Sequence, residues 1–90
     1  MRVCLITENY DPSYGGQYTA IQNVARICKF SKISHFIIHK KSRLYKNKFL
    51  LEKNINDCDI IHLFGGWTFF YFNIYKLSKK LRKKIIIHTM

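Results

Sequence analysis

The sequence predicts an α/β fold, a parallel sheet of about four strands with flanking helices. Three observations carry this expectation. Short apolar runs alternate with stretches of helical periodicity along the 90 residues. The runs are continuously apolar, as strands covered on both faces are. Glycine pairs follow the first and third runs, where a strand must turn into a helix.

The first strand is expected over residues 2–7, with Val3-Cys4-Leu5-Ile6-Thr7 as its centre. A helix follows over 17–30, where Ala20, Ile21, Val24, Ala25 and Cys28 recur on one face. Ser34-His35-Phe36-Ile37-Ile38-His39 reads as the second strand. Residues 40–56 are polar and basic, and Phe49-Leu50-Leu51 fits either a short helix or an irregular crossover. The third strand is Asp59-Ile60-Ile61-His62-Leu63-Phe64, with Asp57 or Asp59 as a polar lead-in. A helix over 68–81 would bury Phe70, Ile74, Leu77 and Leu81, and Lys84-Ile85-Ile86-Ile87-His88 is the fourth strand. Crossovers should be right-handed. No linker, repeat or low-complexity stretch interrupts the pattern, so residues 1–90 read as one unit.

Composition bounds the rest. A 48% hydrophobic chain with one proline is globular in character, not disordered. A domain this small buries only somewhat above ~60% of its unfolded surface, so its stability margin is thin. The net charge is +11, from 16 Lys and Arg against 5 Asp and Glu. Basic residues gather at Lys40, Lys41, Arg43, Lys46 and Lys48, and again at Lys76, Lys79, Lys80, Arg82, Lys83 and Lys84. They read as solvated faces in a lysine-rich composition, the second also complementing a helix C-terminus. The alternative is a patch for an anionic membrane surface or a phosphorylated ligand. No helix-turn-helix, zinc-finger or RNA-binding strand motif is present, so nucleic acid is not an expected partner.

Cys4, Cys28 and Cys58 are odd in number and widely spaced, so they read as buried thiols and not as a disulfide framework or metal site. The N-terminus has no signal-peptide pattern, and no apolar run approaches the ~20 residues of a membrane span. A cytoplasmic protein is expected, with peripheral contact at the inner membrane face as an option.

In an open parallel sheet, ligands bind outside the carboxyl ends of the strands. That rule gathers residues 8–16, the segment after His39, residues 64–68 and His88 onward on one rim. Gly15 and Gly16 stand before a helix N-terminus, whose unpaired N–H groups attract anions. The same pair fits a tight turn that lets the helix pack on the sheet. There is no G-x-G-x-x-G and no G-x-x-x-x-G-K-[ST], which excludes the dinucleotide fingerprint and the P-loop. His35, His39 and His62 lie in or beside strands and read as structural.

The string from Val3 through Tyr10-Asp11-Pro12-Ser13-Tyr14-Gly15-Gly16, followed by Asn23-Val24-Ala25, resembles the opening of GT-B glycosyltransferases of family 4. Those enzymes begin with an apolar strand, an x-Pro-x-x-Gly-Gly loop and a helix with an Asn-Leu-Ala-like step. Asp59-Ile60-Ile61-His62 with Gly65-Gly66-Trp67 looks like the family's Asp-x-x-His-x-His-Gly-x-Trp stretch. The resemblance covers nearly the whole chain in order.

The resemblance implies a Rossmann-like, acceptor-side N-terminal domain, half of a GT-B architecture. It places Gly15 and Gly16 beside the donor diphosphate and acceptor. Trp67, with Gly65 and Gly66, would form the acceptor rim, or Trp67 would simply pack on the sheet. Glu8 and Asp11 on the rim loop would touch an acceptor hydroxyl or act as a base, or stand as solvated carboxylates. The family's catalytic histidine after the fourth strand falls on His88, unless Met90 takes its place. The family's second histidine after the third strand is Phe64 here, which removes a polar contact. No cofactor is implied. The nucleotide-sugar donor is expected only with a C-terminal domain, which in the family supplies a paired-glutamate motif and is not found in these 90 residues. A truncated or split enzyme, inert alone and needing that domain in trans, is therefore expected. The alternative is a non-catalytic basic module for an anionic membrane surface or partner protein, drawing on Phe69, Phe70, Tyr71, Phe72 and Tyr75.

Overall fold

The apolar runs are rich in isoleucine, whose branched Cβ suits a pleated, covered surface. Each becomes a strand: β1 (Arg2–Ile6), β2 (Ser34–Ile38), β3 (Ile60–Phe64) and β4 (Lys84–His88). The computed structural model describes residues 1–65 and 68–88. The strands form one parallel sheet in the order β2-β1-β3-β4, a Rossmann-like arrangement. Leu5 pairs with Ile37 on one side and His62 on the other, and His62 pairs in turn with Ile86. The helices are α1 (Gly16–Phe30), α2 (Arg43–Lys46), α3 (Lys48–Asn56) and α4 (Phe69–Lys80), with a short 3-10 turn at Pro12–Tyr14.

Side chains alternate across a strand, and β1 shows what that does here. Val3 and Leu5 join Ile21 of α1 and Phe64 on one face. Cys4 and Ile6 join Leu51 and Ile55 of α3 and Phe70, Tyr71 and Ile74 of α4 on the other. One helix thus covers the first face and two cover the second. All three cysteines are buried and free. Burial pushes the Cys4 thiol well above its ordinary pKa, with the Cys58 thiol beside it.

The structure departs from the sequence reading at the ends of several strands and in α4. Strand β1 ends at Ile6, although the N–H of Thr7 still donates to the Ile38 carbonyl at 3.1 Å. Of the two alternatives for Phe49-Leu50-Leu51 the short helix holds, since they lie in α3, and α2 precedes it in the same stretch. Asn47 starts α3 by accepting the N–H groups of Phe49 and Leu50 at 3.0 and 3.2 Å, a side-chain N-cap. In α4, Phe70 and Ile74 are buried as the periodicity predicts, but so are Tyr71 and Ser78, while Leu77 and Leu81 are only partly covered. Lastly, Phe70 and Tyr71 belong to the core and cannot serve the exposed aromatic face expected for α4.

Helices α1 and α4 end alike. Lys32 and Arg82 both adopt φ 58°, and the next residues close the turn by donating to Cys28 at 2.8 Å and Ser78 at 2.9 Å. Glycine usually fills such a position because a Cβ is strained there. Lys32→Gly and Arg82→Gly should therefore each raise stability by about 0.5–1 kcal/mol in urea unfolding, the relief of strain outweighing the added freedom of the unfolded chain.

Candidate functional site

From β1 the chain moves outward to β2, then returns past β1 to β3. The β1–β3 boundary is thus where the connections reverse, the place where an open α/β sheet forms a crevice. Residues 7–16 and Gly65 follow the two strands at this boundary, and His88 ends β4 on the far side of β3.

The joint between them is Tyr71, in the first turn of α4. Its ring is buried in the core, and its hydroxyl donates to the Phe64 carbonyl at 2.6 Å while accepting the Glu8 N–H at 2.9 Å. One phenol thus satisfies two backbone groups that the strand ends leave without ladder partners. Gly65 arches over this ring with φ +134°, and a Cβ there would lie 2.7 Å from the ring. The close approach of Tyr71 is what requires glycine at this position. The Gly65 N–H then donates to the His88 carbonyl at 3.0 Å, joining the ends of β3 and β4.

His88 is exposed at the rim. Its imidazole faces Phe64 at 5.3 Å and His62 at 5.9 Å between ring centroids, and His62 stacks on Phe64 at 4.2 Å. Phe64 itself is wholly buried, so it fills core volume where a second histidine would offer a ring nitrogen. Nε2 of His62 is buried without a hydrogen-bond partner among the described residues. Burial, and then the neighbouring His88, push the His62 pKa below its usual value.

Glu8 is held twice by Lys40. Its carbonyl accepts the Lys40 N–H at 3.1 Å, and its carboxylate lies 3.7 Å from the ammonium. Asp11 accepts the Ser13 N–H at 2.9 Å, and that hydrogen bonding holds its pKa below the ordinary carboxylate range. Its observed work is to cap the 3-10 turn, and it makes no contact with the Tyr71 joint. Tyr10 ties the same loop to α1, its ring packing at a tilt on Tyr18 at 5.2 Å between centroids and its hydroxyl accepting from the Gln22 amide.

Gly15 has φ +51° and ψ −106°, with no neighbour within 4 Å of where a Cβ would stand. The backbone conformation, not crowding, demands glycine there. Its N–H closes the 3-10 turn onto the Pro12 carbonyl, and its own carbonyl accepts the Thr19 N–H. Helix α1 begins at Gly16 with no side-chain cap, and both glycines are exposed. The first N–H groups of α1 are thereby left to face an anion or water.

The fold thus links Glu8, Gly65 and His88 through one chain of hydrogen bonds, and leaves Asp11, Gly15 and Gly16 along the adjoining loop. Gly66, Trp67 and Met90, the last being the alternative to His88, lie outside the described residues. Among the described residues, no group of three His, Cys, Asp or Glu side chains is placed to hold a metal ion. Sequence reasoning placed Tyr71 among the α4 aromatics and Lys40 in a basic cluster, and assigned neither to this rim. Tyr71 was legible as a broader stripe, since Phe70, Tyr71, Ile74 and Ser78 all face the sheet. Lys40 gave no local signal, because its partner lies in another loop.

Tyr71→Phe leaves the Phe64 carbonyl and the Glu8 N–H without their partner. It should cost about 1–3 kcal/mol in denaturant unfolding and speed amide exchange at Glu8. Gly65→Ala should cost more, since it combines a forbidden φ with a clash against a buried ring.

No protein-family model matches the chain, and neither a curated protein nor a solved structure does.

Proposed function

We propose that these residues form the acceptor-side, N-terminal half of a retaining GT-B glycosyltransferase, which transfers a sugar from a nucleotide-sugar to a saccharide or lipid-linked acceptor. The observation that supports this reading is that an uncapped helix start behind Gly15, after β1, and an exposed imidazole on His88, at the end of β4, both lie at the carboxyl edge of one parallel sheet. In this reading the N–H groups at Gly16 and beyond receive donor phosphate charge. His88 hydrogen-bonds a sugar hydroxyl in the transition state. Glu8, fixed by Tyr71 and Lys40, borders the acceptor, with Gly65, Gly66 and Trp67 along the same rim. The nucleotide is held by a second, C-terminal domain, and transfer needs both walls of the cleft to align donor and acceptor.

The 90-residue chain by itself should show neither transfer nor donor hydrolysis. Adding a C-terminal donor-binding domain in trans should restore transfer, measured as release of nucleoside diphosphate. In that assembly His88→Ala should lower kcat by about 10²-fold. Absence of transfer with every such domain would overturn the reading.

A second reading draws on α4. Phe69 and Phe72, one turn apart, are 85% and 54% exposed, and the Lys76 ammonium lies 5.5 Å from the Phe72 ring centre. Exposed aromatics followed by Lys76, Lys79 and Lys80 suit an anionic bilayer surface. No described helix is long and apolar enough to cross a membrane. The chain should sediment with phosphatidylglycerol vesicles but not phosphatidylcholine vesicles, and release at high salt. Phe69→Ser with Phe72→Ser should weaken this by about tenfold. Equal sedimentation with both vesicle types would dismiss the reading.

A further inference from the structure

The two basic clusters, which end at Lys48 and resume at Lys76 in the sequence, both contribute to one groove. It runs between α3 and α4, is closed at one end by α2, and has a volume of about 890 Å³. Lys40, Lys46, Lys48, Lys76 and Lys80 line it, against a single carboxylate, Glu52. Among the described residues only Lys40 pairs with an acid, and that acid is Glu8 at the rim. We propose that this groove binds a ligand carrying clustered phosphates. The proposal rests on neither reading above.

Periodicity explains how the site is built. Lys76 and Lys80 stand four apart on the side of α4 that also carries Asn73 and Leu77, and Lys48 and Glu52 stand four apart on α3. Lys76 and Lys80 repel at that spacing, Glu52 offsets Lys48 alone, and the lysines of facing helices add further repulsion. A lysine-rich chain is free to spread such charges over its outer surface, whereas here they enclose one concavity. An anion of high charge density would relieve the repulsion.

The lining also selects among anions. All the cations are lysines, point charges with rotatable donors, with no arginine fork for planar carboxylate recognition. One carboxylate or one phosphate would leave most of the ammonium groups uncompensated, whereas two or three phosphates, each near −1.5 to −2, would match them. Leu51 and Leu77 give the groove apolar walls, which strengthen the field within it. A nucleobase finds no free platform on Tyr45, whose ring already packs on Phe70 at 4.7 Å. A phosphorylated small molecule and a multiply phosphorylated lipid headgroup share the required chemistry.

Isothermal titration with inorganic tripolyphosphate tests this. The groove variant is Lys48→Gln, Lys76→Gln and Lys80→Gln. A control removes equal charge outside the groove through Arg26→Gln, Lys29→Gln and Lys84→Gln. The groove variant should bind about tenfold more weakly and the control within about twofold of the parent. Glu52→Gln should tighten binding by about twofold, an effect that damage to folding cannot mimic. Phosphatidylcholine vesicles containing phosphatidylinositol bisphosphate form the second arm. Groove-dependent binding of vesicles alone assigns the ligand to a headgroup, and of tripolyphosphate alone to a soluble molecule. Equal weakening by both triple variants, or binding of neither probe, would overturn the proposal.

Discussion

The phenol of Tyr71 is the contact on which the ligand edge of this fold depends. Parallel strands finish with carbonyl and N–H groups that no neighbouring strand satisfies, and the reversal between β1 and β3 leaves two such groups side by side. The Tyr71 hydroxyl takes one as donor and the other as acceptor. Its ring belongs to the core beneath α4, so the rim is fastened to the hydrophobic interior and not to a mobile surface group. The position of Glu8, the glycine at 65 and the link from Gly65 to His88 all follow from that placement.

The sheet is unevenly covered. Helices α3 and α4 bury one face and α1 the other, and the edge strand β4 leaves Ile86, on the α1 face, and Ile87, on the α3–α4 face, about half exposed. An edge strand with exposed isoleucines is a surface that favours association. The same geometry leaves the imidazole of His88 accessible, since nothing among the described residues packs over that end of β4. Exposure at β4 and access to the rim therefore have one structural origin.

Charge is organised more sharply than the total of +11 suggests. With so few acids, each carboxylate has outsized local influence. Asp11 is taken up by the 3-10 turn, Asp59 accepts the Arg2 N–H at 2.8 Å, and Glu8 holds Lys40. The other lysines of the α3–α4 groove, Lys46, Lys48, Lys76 and Lys80, share Glu52 as the one carboxylate in its lining. The groove lysines are exposed, as solvated faces predict, and differ from Arg26 and Lys29 on α1 in lining one concavity.

The strands, their parallel order of appearance and two of the long helices were legible in the sequence because each rests on local periodicity. Apolar runs such as Ile60 to Phe64 need no distant partner to declare themselves, and α1 shows its buried stripe in Ile21 and Cys28. The glycine loop at Gly15 was likewise visible, since a positive φ is a local demand. Helix α3 was legible only as one of two alternatives because its signal is a single cap at Asn47 and a short stripe, Leu51 and Ile55. Tertiary structure alone decided what Gly65 is for, because the clash it avoids comes from Tyr71, buried from a helix whose aromatics look interchangeable in sequence. It alone separated Phe70 and Tyr71 in the core from Phe69 and Phe72 outside. It also brought Lys48 to face Lys76 across a groove. Those outcomes depend on contacts between distant segments, and the physics that sets them is packing and charge proximity, which no local window of residues contains.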